Sequence, residues 1–156
     1  MYSAFILSFG GLGRIELLLL IVLLVVIPKI FYLLTLQNTL KAVSVQNRKM
    51  PPGQVWLEII PLFSLVWQFY NVINVSDSIR NECLARGIVM DEERPAYSIG
   101  LAHCILACCG VIPFLGYAAS LASLICWIIF WIKIANYKTK LMNQSMNHSA
   151  KTEGFG

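Results

Sequence analysis

The sequence PGQVWLEIIPLFSLVWQFYNVINVSDSIRNE, residues 52–82, combines an apolar composition with regularly spaced polar residues. It is long and apolar enough to cross a bilayer, yet Glu58, Pro61 and Asn71 lie within it. Polar side chains at membrane depth are costly unless they face other protein or water. The stretch therefore predicts a helix at the centre of a membrane bundle.

One face of this predicted helix is polar along its length. At about 100° per residue, the following side chains fall on a single narrow stripe: Ser64, Trp67, Asn71, Asn74, Ser78 and Glu82. One interpretation is that the stripe forms hydrogen bonds that fix helix packing. The other is that it lines a hydrated path or a small-molecule pocket. The spacing alone fits both.

The composition of the whole chain is that of an integral membrane protein. Of the 156 residues, 58% are hydrophobic and 13% are charged, and the mean hydropathy is +0.70, whereas soluble domains carry about 25% charged residues. Four runs approach the ~20 apolar residues that cross a bilayer, at residues 15–36, 54–77, 97–115 and 117–134. The predicted fold is all-α, a bundle of four transmembrane helices, with helix 2 kinked at Pro61 and helices 3 and 4 forming a tight hairpin.

The remaining segments are short. Residues 1–13 form an apolar and glycine-rich lead, residues 14–141 the transmembrane domain, and residues 142–156 a polar tail that is predicted to be disordered. Gly87 is expected to end the second helix. The charged sequence DEERP, residues 91–95, is predicted to be a solvated loop.

Several classes of function are not supported by the sequence. No basic cluster with interleaved aromatic residues indicates nucleic acid. His103 and Cys104 are adjacent and point about 100° apart, so no zinc spacing emerges and neither a metal nor a cofactor is expected. No paired catalytic residues occur at matched depth, which predicts that the chain is not an enzyme. His103 is predicted to make a polar contact with another helix inside the membrane.

Two charged residues lie well inside predicted spans, away from the span ends. Lys29 lies about 10 Å from the end of the first span, and Glu58 lies about 7.5 Å inside the second. At similar depth, they are predicted to approach each other as an ion pair. The alternative is that each extends separately to the interface.

Basic residues flanking the four spans predict the orientation. One side carries eight: Arg14, Arg80, Arg86, Arg94, Lys133, Lys138, Lys140 and Lys151. The other side carries three: Lys41, Arg48 and Lys49. Because basic residues concentrate on the cytoplasmic side, both termini are predicted to be cytoplasmic.

Three motifs resemble those of a known group of proteins. The sequences PPGQVWLEIIPLFSLVWQF, SDSIRNE and WIKIANYKTKL are similar to those of small bacterial multi-pass membrane proteins of unknown function. The resemblance covers about residues 34–141. It implies a four-helix bundle in the bacterial cytoplasmic (inner) membrane and carries no activity with it.

The function predicted from these observations is structural or regulatory. The chain is expected to interact in the lipid bilayer with itself, as a homo-oligomer, or with other membrane proteins. The alternative is an oligomeric channel, permease or membrane-permeabilising effector, whose path would be lined by Lys29, Glu58, Asn71, Asn74 and His103.

Overall fold

The computed structural model describes residues 13–60, 63–110 and 116–153, and most of these residues are helical. Helix α1 is Arg14–Ala42, a 3₁₀ helix follows at Pro52–Ile59, and the later helices are α2 (Phe63–Arg86), α3 (Tyr97–Cys109) and α4 (Gly116–Glu153). No strand occurs in these three ranges, which confirms the predicted all-α class.

Three predicted features lie outside the described residues. They are the apolar lead before Gly13, the bend at Pro61 itself and the tight turn at residues 113–115.

The chain divides into two compact units, Met1–Tyr32 and Leu33–Gly156. In the first unit, the side chains from Leu17 to Ile27 on α1 are all apolar and exposed. The second unit contains the end of α1 and the later helices. Its core consists of fully buried apolar side chains from α1, α2, α3 and α4: Leu33, Leu36, Leu40, Val72, Val75, Ile79, Cys104, Phe130, Ile134 and Leu141.

Two helical stretches are long and apolar enough to cross a membrane, Ile15–Ala42 and Gly116–Asn147. They contain the first and fourth predicted spans. Helix α3 is apolar but has only 13 residues, or about 20 Å of helix, against a hydrocarbon core of about 30 Å. Among the described residues, the second and third predicted spans therefore contain no helix that is both long and apolar enough to cross a membrane.

The described part of the second predicted span is not one continuous helix. It was expected to run as one helix over residues 54–77, but the 3₁₀ helix ends at Ile59 and α2 begins at Phe63. Ile60 is extended, with φ −69° and ψ 117°. The residue before a proline is disfavoured in the helical region because the proline ring crowds its backbone, and Pro61 imposes that restriction here.

The segment before this break runs antiparallel to α2. Asn81 donates to the carbonyl of Asn47 at 3.4 Å, the Lys49 amide donates to Ser78 at 2.8 Å, and Trp67 donates to the carbonyl of Gln54 at 2.8 Å. As residue numbers rise along the segment, those of their partners on α2 fall. Residues 47–54 therefore lead away from the end of α1, and α2 returns toward it.

This return corrects the predicted distribution of charges between two sides. Arg86, at the end of α2, donates to the carbonyls of Ala42 at 3.2 Å and Leu141 at 3.0 Å. The ends of α1 and α2 therefore meet each other and the part of α4 around Leu141. Lys41 and Arg48 were assigned to the side opposite Arg86, but their segment is in direct contact with it. The orientation of the termini stays a prediction.

Helices α3 and α4 pack closely because small residues face each other. A Cβ atom built on Gly110 would lie 3.0 Å from Ser120 Oγ, and one on Gly116 would lie 2.7 Å from the Gly110 carbonyl oxygen. A Cβ atom on Gly100 would lie 2.7 Å from Val72 on α2 and 2.8 Å from Phe130 on α4. These glycines allow the backbones to approach.

The sequence predicted the C-terminal end of α2 correctly but not that of α4. Helix α2 ends as expected at Gly87, whose φ is +65°, and the Ile88 amide donates to the Cys83 carbonyl at 2.8 Å in the bonding pattern of a glycine-stopped helix. Helix α4 instead continues to Glu153, which corrects the prediction of a disordered tail from residue 142. No proline or glycine interrupts residues 117–153, and Ser145 accepts a hydrogen bond from Arg86 at 2.8 Å.

Candidate functional site

The predicted polar stripe of α2 faces the segment of the chain that precedes this helix, residues 47–58. Trp67 binds the Gln54 carbonyl at 2.8 Å and stacks on Phe63 with ring centroids 5.0 Å apart. The Asn71 amide donates to the Glu58 carboxylate and lies 3.5 Å from the Val55 carbonyl oxygen. These contacts tie the first half of the stripe to the 3₁₀ helix.

The remaining side chains of the stripe form hydrogen bonds mainly with backbone groups, most of them in α2 itself. Asn74 donates to the Tyr70 carbonyl at 2.7 Å, and Ser78 donates to the Asn74 carbonyl at 2.6 Å while accepting the Lys49 amide. Ser64 is half-buried in the first turn of α2, where its amide donates to the Ile60 carbonyl at 2.9 Å. The arrangement is one of internal packing along most of the stripe.

The pair formed by Glu58 and Asn71 is the most buried polar contact of the stripe. Glu58 is 2% exposed and Asn71 is fully buried. Asn71 uses its amide hydrogens on Glu58, while its oxygen Oδ1 has no hydrogen-bond partner in the described part of the chain. The predicted Lys29–Glu58 ion pair joins residues of different units and stays a prediction. Lys29 itself lies 5.3 Å from the centre of the Tyr32 ring.

Glu82 connects the ends of two helices through a buried carboxylate. It accepts hydrogen bonds from the Ser44 amide at 3.0 Å, the Ser44 hydroxyl at 2.6 Å and Asn47 at 2.7 Å, and from Arg86 Nε at 2.6 Å. Burial opposes ionisation of Glu82 and is the largest single effect on it. The hydrogen bonds together outweigh that effect, so the pKa of Glu82 is lowered. The sequence predicted that Glu82 lies on the stripe, but it did not predict the groups that Glu82 binds.

Arg86 extends this connection to α4. Besides Glu82, it binds the carbonyls of Ala42 and Leu141 and the hydroxyl of Ser145. We refer to Glu82, Arg86 and the groups that they bind as the helix-end cluster. No local pattern in the sequence indicates this cluster, because the bonded partners are distant in sequence; Arg86 and Ser145, for example, are 59 residues apart.

His103 contacts α4 through Ser123. Its ring Nδ1 lies 3.0 Å from the Ser123 carbonyl oxygen and 2.9 Å from Ser123 Oγ, and Ser123 Oγ lies 3.1 Å from the His103 carbonyl oxygen. All three contacts are satisfied when the hydrogen on Nδ1 is shared between the Ser123 carbonyl and Oγ and the Ser123 hydroxyl donates to the His103 carbonyl. In that arrangement the hydroxyl proton is not directed at the imidazole, as a serine nucleophile would require. The geometry is that of a link between α3 and α4.

The charged loop before α3 is paired rather than merely solvated, which modifies the prediction for DEERP. Glu92 binds Lys133 on α4, Asp91 lies 3.3 Å from Lys140, and Arg94 binds Asp77 on α2 at 2.7 Å. Glu92 also accepts the amide of Ala96 at 3.2 Å. The loop is thereby held against α2 and α4.

A cleft of about 390 Å³ lies between this loop and α4, and we call it the α4 cleft. Its lining is polar and carries both signs of charge: Asp91, Glu92, Lys133, Asn136, Tyr137, Thr139, Lys140 and Asn143. The sequence contained a signal for one wall, because Lys133, Asn136, Tyr137 and Lys140 share a helical face. It contained none for the opposite wall.

No group of three or more metal-binding side chains occurs among the described residues. Comparisons with the models of known protein families, with curated proteins and with solved structures find no match to this chain.

Proposed function

We propose that this chain is a small integral membrane protein with a structural or regulatory function, exerted through helix contacts with a second copy of itself or with another membrane protein. The observation that carries the proposal is the surface of α1. From Leu17 to Ile27 every side chain is apolar and exposed, so this segment has no polar face to turn toward water. A helix that is apolar on all sides is stable in lipid or against protein.

We further propose that the chain crosses a bacterial inner membrane more than once. Helices α1 and α4 supply the two stretches with sufficient length and hydropathy. The outward face of α4 supports insertion, because it presents exposed apolar side chains: Leu121, Leu124, Ile125, Ile128, Ile129 and Ile132. The bacterial assignment rests on the resemblance of residues 34–141 to small bacterial multi-pass proteins.

The hydrogen bonds of the stripe count against transport. Trp67, Asn71 and Ser78 are bonded to the segment that precedes α2, at residues 49–58. A path for water or ions would instead need these groups to face an open lumen. The channel or permease therefore has less support from this surface than a packing function has.

The mass of the purified protein in nanodiscs tests the proposal. A defined homo-oligomer, or a stable complex with a second membrane protein, supports it. A monomer that co-purifies with no other protein contradicts it. In the same preparation, solute flux in liposomes that is abolished by Asn71→Leu would support the transport alternative.

A further inference from the structure

We propose that the α4 cleft binds the headgroup of a zwitterionic aminophospholipid, in which a primary ammonium group is joined to a phosphodiester. This inference rests on the proposed function, because a membrane lipid reaches the cleft when α4 is inserted in a bilayer. The cleft volume of about 390 Å³ lies within the range of small-molecule sites, about 300–1,000 Å³.

The position of the cleft along α4 matches the depth of lipid headgroups. Ile132 is the last exposed leucine or isoleucine on the outward face of α4, and the next exposed apolar side chains on this helix are Met142 and Met146. Tyr137 follows five residues later, or about 7.5 Å along the helix. The polar layer on each side of the hydrocarbon core is about 5–8 Å thick. An α4 helix inserted up to Ile132 therefore carries Tyr137 at the outer limit of this polar layer. Lys140 lies about 4.5 Å further along the helix, and its long side chain extends back to the phosphate.

The charges of the cleft match both ends of such a headgroup. Lys140 and Asp91 form a loose pair at 3.3 Å, and their side chains are 44% and 77% exposed. Exposed pairs of this kind contribute little to folding, so they are easily exchanged for other partners. Lys140 is placed to bind the phosphodiester, and Asp91 is placed to accept hydrogen bonds from the ammonium group.

A buried hydroxyl provides an independent indication of a ligand. Tyr137 lines the cleft and is 5% exposed, and its hydroxyl has no hydrogen-bond partner among the residues that the structure describes. Buried hydroxyls are normally hydrogen-bonded. The Lys140 ammonium lies 5.1 Å from the centre of the same ring. A phosphate oxygen bound by Lys140 is a suitable acceptor for this hydroxyl.

The same chemistry predicts selectivity between lipids. A purely anionic headgroup satisfies Lys140 but brings negative charge to Asp91 and Glu92. A choline headgroup has the right charges, but its quaternary nitrogen has no hydrogen to donate. A primary ammonium joined to a phosphodiester provides a partner for Asp91 on one wall of the cleft and for Lys140 on the other.

Lipid retention tests this proposal. The full chain is reconstituted in nanodiscs with equal amounts of phosphatidylethanolamine, phosphatidylglycerol and phosphatidylcholine, and the lipids retained after transfer to detergent are counted by native mass spectrometry. We expect preferential retention of phosphatidylethanolamine. We expect Asp91→Asn and Lys140→Gln each to reduce that retention about tenfold, the factor equivalent to 1.4 kcal/mol. Tyr137→Phe should reduce it in the same direction.

The matched control is Lys138→Gln, which removes the same charge from α4 at a residue outside the cleft lining. It should retain phosphatidylethanolamine within about twofold of the unmodified chain, a difference of roughly 0.4 kcal/mol. Circular dichroism of each variant establishes that it is folded. Equal retention of the three lipids, or an equal loss in Lys138→Gln, overturns the proposal.

Further outcomes distinguish failure of the lipid assignment from failure of the proposed function. Displacement of the lipid by millimolar soluble phosphoethanolamine would assign the cleft to a free metabolite and overturn the lipid assignment. Recovery of the chain in the soluble fraction would overturn the proposed function and this inference together. A membrane-inserted chain without lipid preference overturns this inference alone.

Discussion

At the scale of single residues, the buried carboxylates determine how the polar part of the chain is assembled. Glu82 and Glu58 are 1% and 2% exposed, and each accepts hydrogen bonds from side chains distant in sequence. Buried charges of this kind are tolerated only when such partners are present. Their substitution should therefore affect stability more than substitution of the exposed carboxylates does.

Glu82→Gln should destabilise the fold by about 2–3 kcal/mol, the range expected for losing hydrogen bonds to a charged group. Arg86 would keep its carbonyl acceptors but lose its buried counter-charge. Thermal unfolding in detergent, followed by circular dichroism, measures the change. Glu93→Gln is the control, because that side chain is 89% exposed and 3.9 Å from Arg80. Equal losses in the two variants would contradict the importance of the helix-end cluster.

The stability of the unmodified chain should fall in acid. The pKa of Glu82 is lowered in the folded state, so its contribution is fully present above the ordinary pKa of about 4.3. That contribution is lost as the pH falls from there through the folded pKa. The unfolding temperature should therefore decrease more steeply below pH 4.3 in the unmodified chain than in Glu82→Gln. Parallel curves for the two proteins would contradict this assignment.

Asn71 and Asn74 should respond differently to the same substitution. Asn71→Leu removes a donor from the buried carboxylate of Glu58, at a cost of about 1–3 kcal/mol. Asn74→Leu removes a bond to the carbonyl of its own helix and should change stability by about 0.5 kcal/mol or less. Unfolding midpoints in the same detergent measure both. Similar effects at the two positions would contradict the distinction.

At the scale of helices, close packing depends on Gly100. Gly100→Ala places a methyl group 2.7 Å from Val72 and 2.8 Å from Phe130, and overpacking of this kind costs about 1–3 kcal/mol. The control is Gly53→Ala, where a Cβ atom meets nothing within 4 Å. Thermal unfolding should separate the two variants. An unchanged Gly100→Ala protein would show that α2, α3 and α4 adjust easily.

Helix α1 provides a test of the interaction proposal at the same scale. A photo-crosslinking amino acid is placed at each position from 17 to 27 in turn, in membranes. If one face contacts a second copy or a partner, protein adducts should recur every three to four residues, the period of a helix. Adducts to lipid alone at all of these positions would contradict a protein contact through this segment.

At the scale of the molecule, the helix-end cluster places the ends of α1 and α2 beside α4 at Leu141 and Ser145. Cysteines introduced at Val45, Val89 and Met146, where the native side chains are 78%, 83% and 60% exposed, should therefore react with an impermeant thiol reagent from the same side of the membrane. Sealed vesicles of known orientation provide the measurement, and the unmodified chain with its five cysteines sets the background. Labelling of Val45→Cys only from the side opposite Val89→Cys would contradict the fold.

The sequence by itself determined the class of the fold and several local features. Hydropathy, helical period and the glycine at position 87 are properties of neighbouring residues, so they predicted an all-α chain, the apolar segments within α1 and α4, and the end of α2. The stripe on α2 was also visible as a face, because a helix places residues three and four apart together.

Only the tertiary structure decided which groups those features meet. Ser44 and Glu82 are 38 residues apart, and Asp91 and Lys140 are 49 apart, so no local pattern pairs them. Their contacts follow from the chain reversal between α1 and α2 and from the packing of the helices. That reversal depends on extended backbone at Ile60 before Pro61 and on hydrogen bonds between distant residues. Period and hydropathy carry no information about such partners.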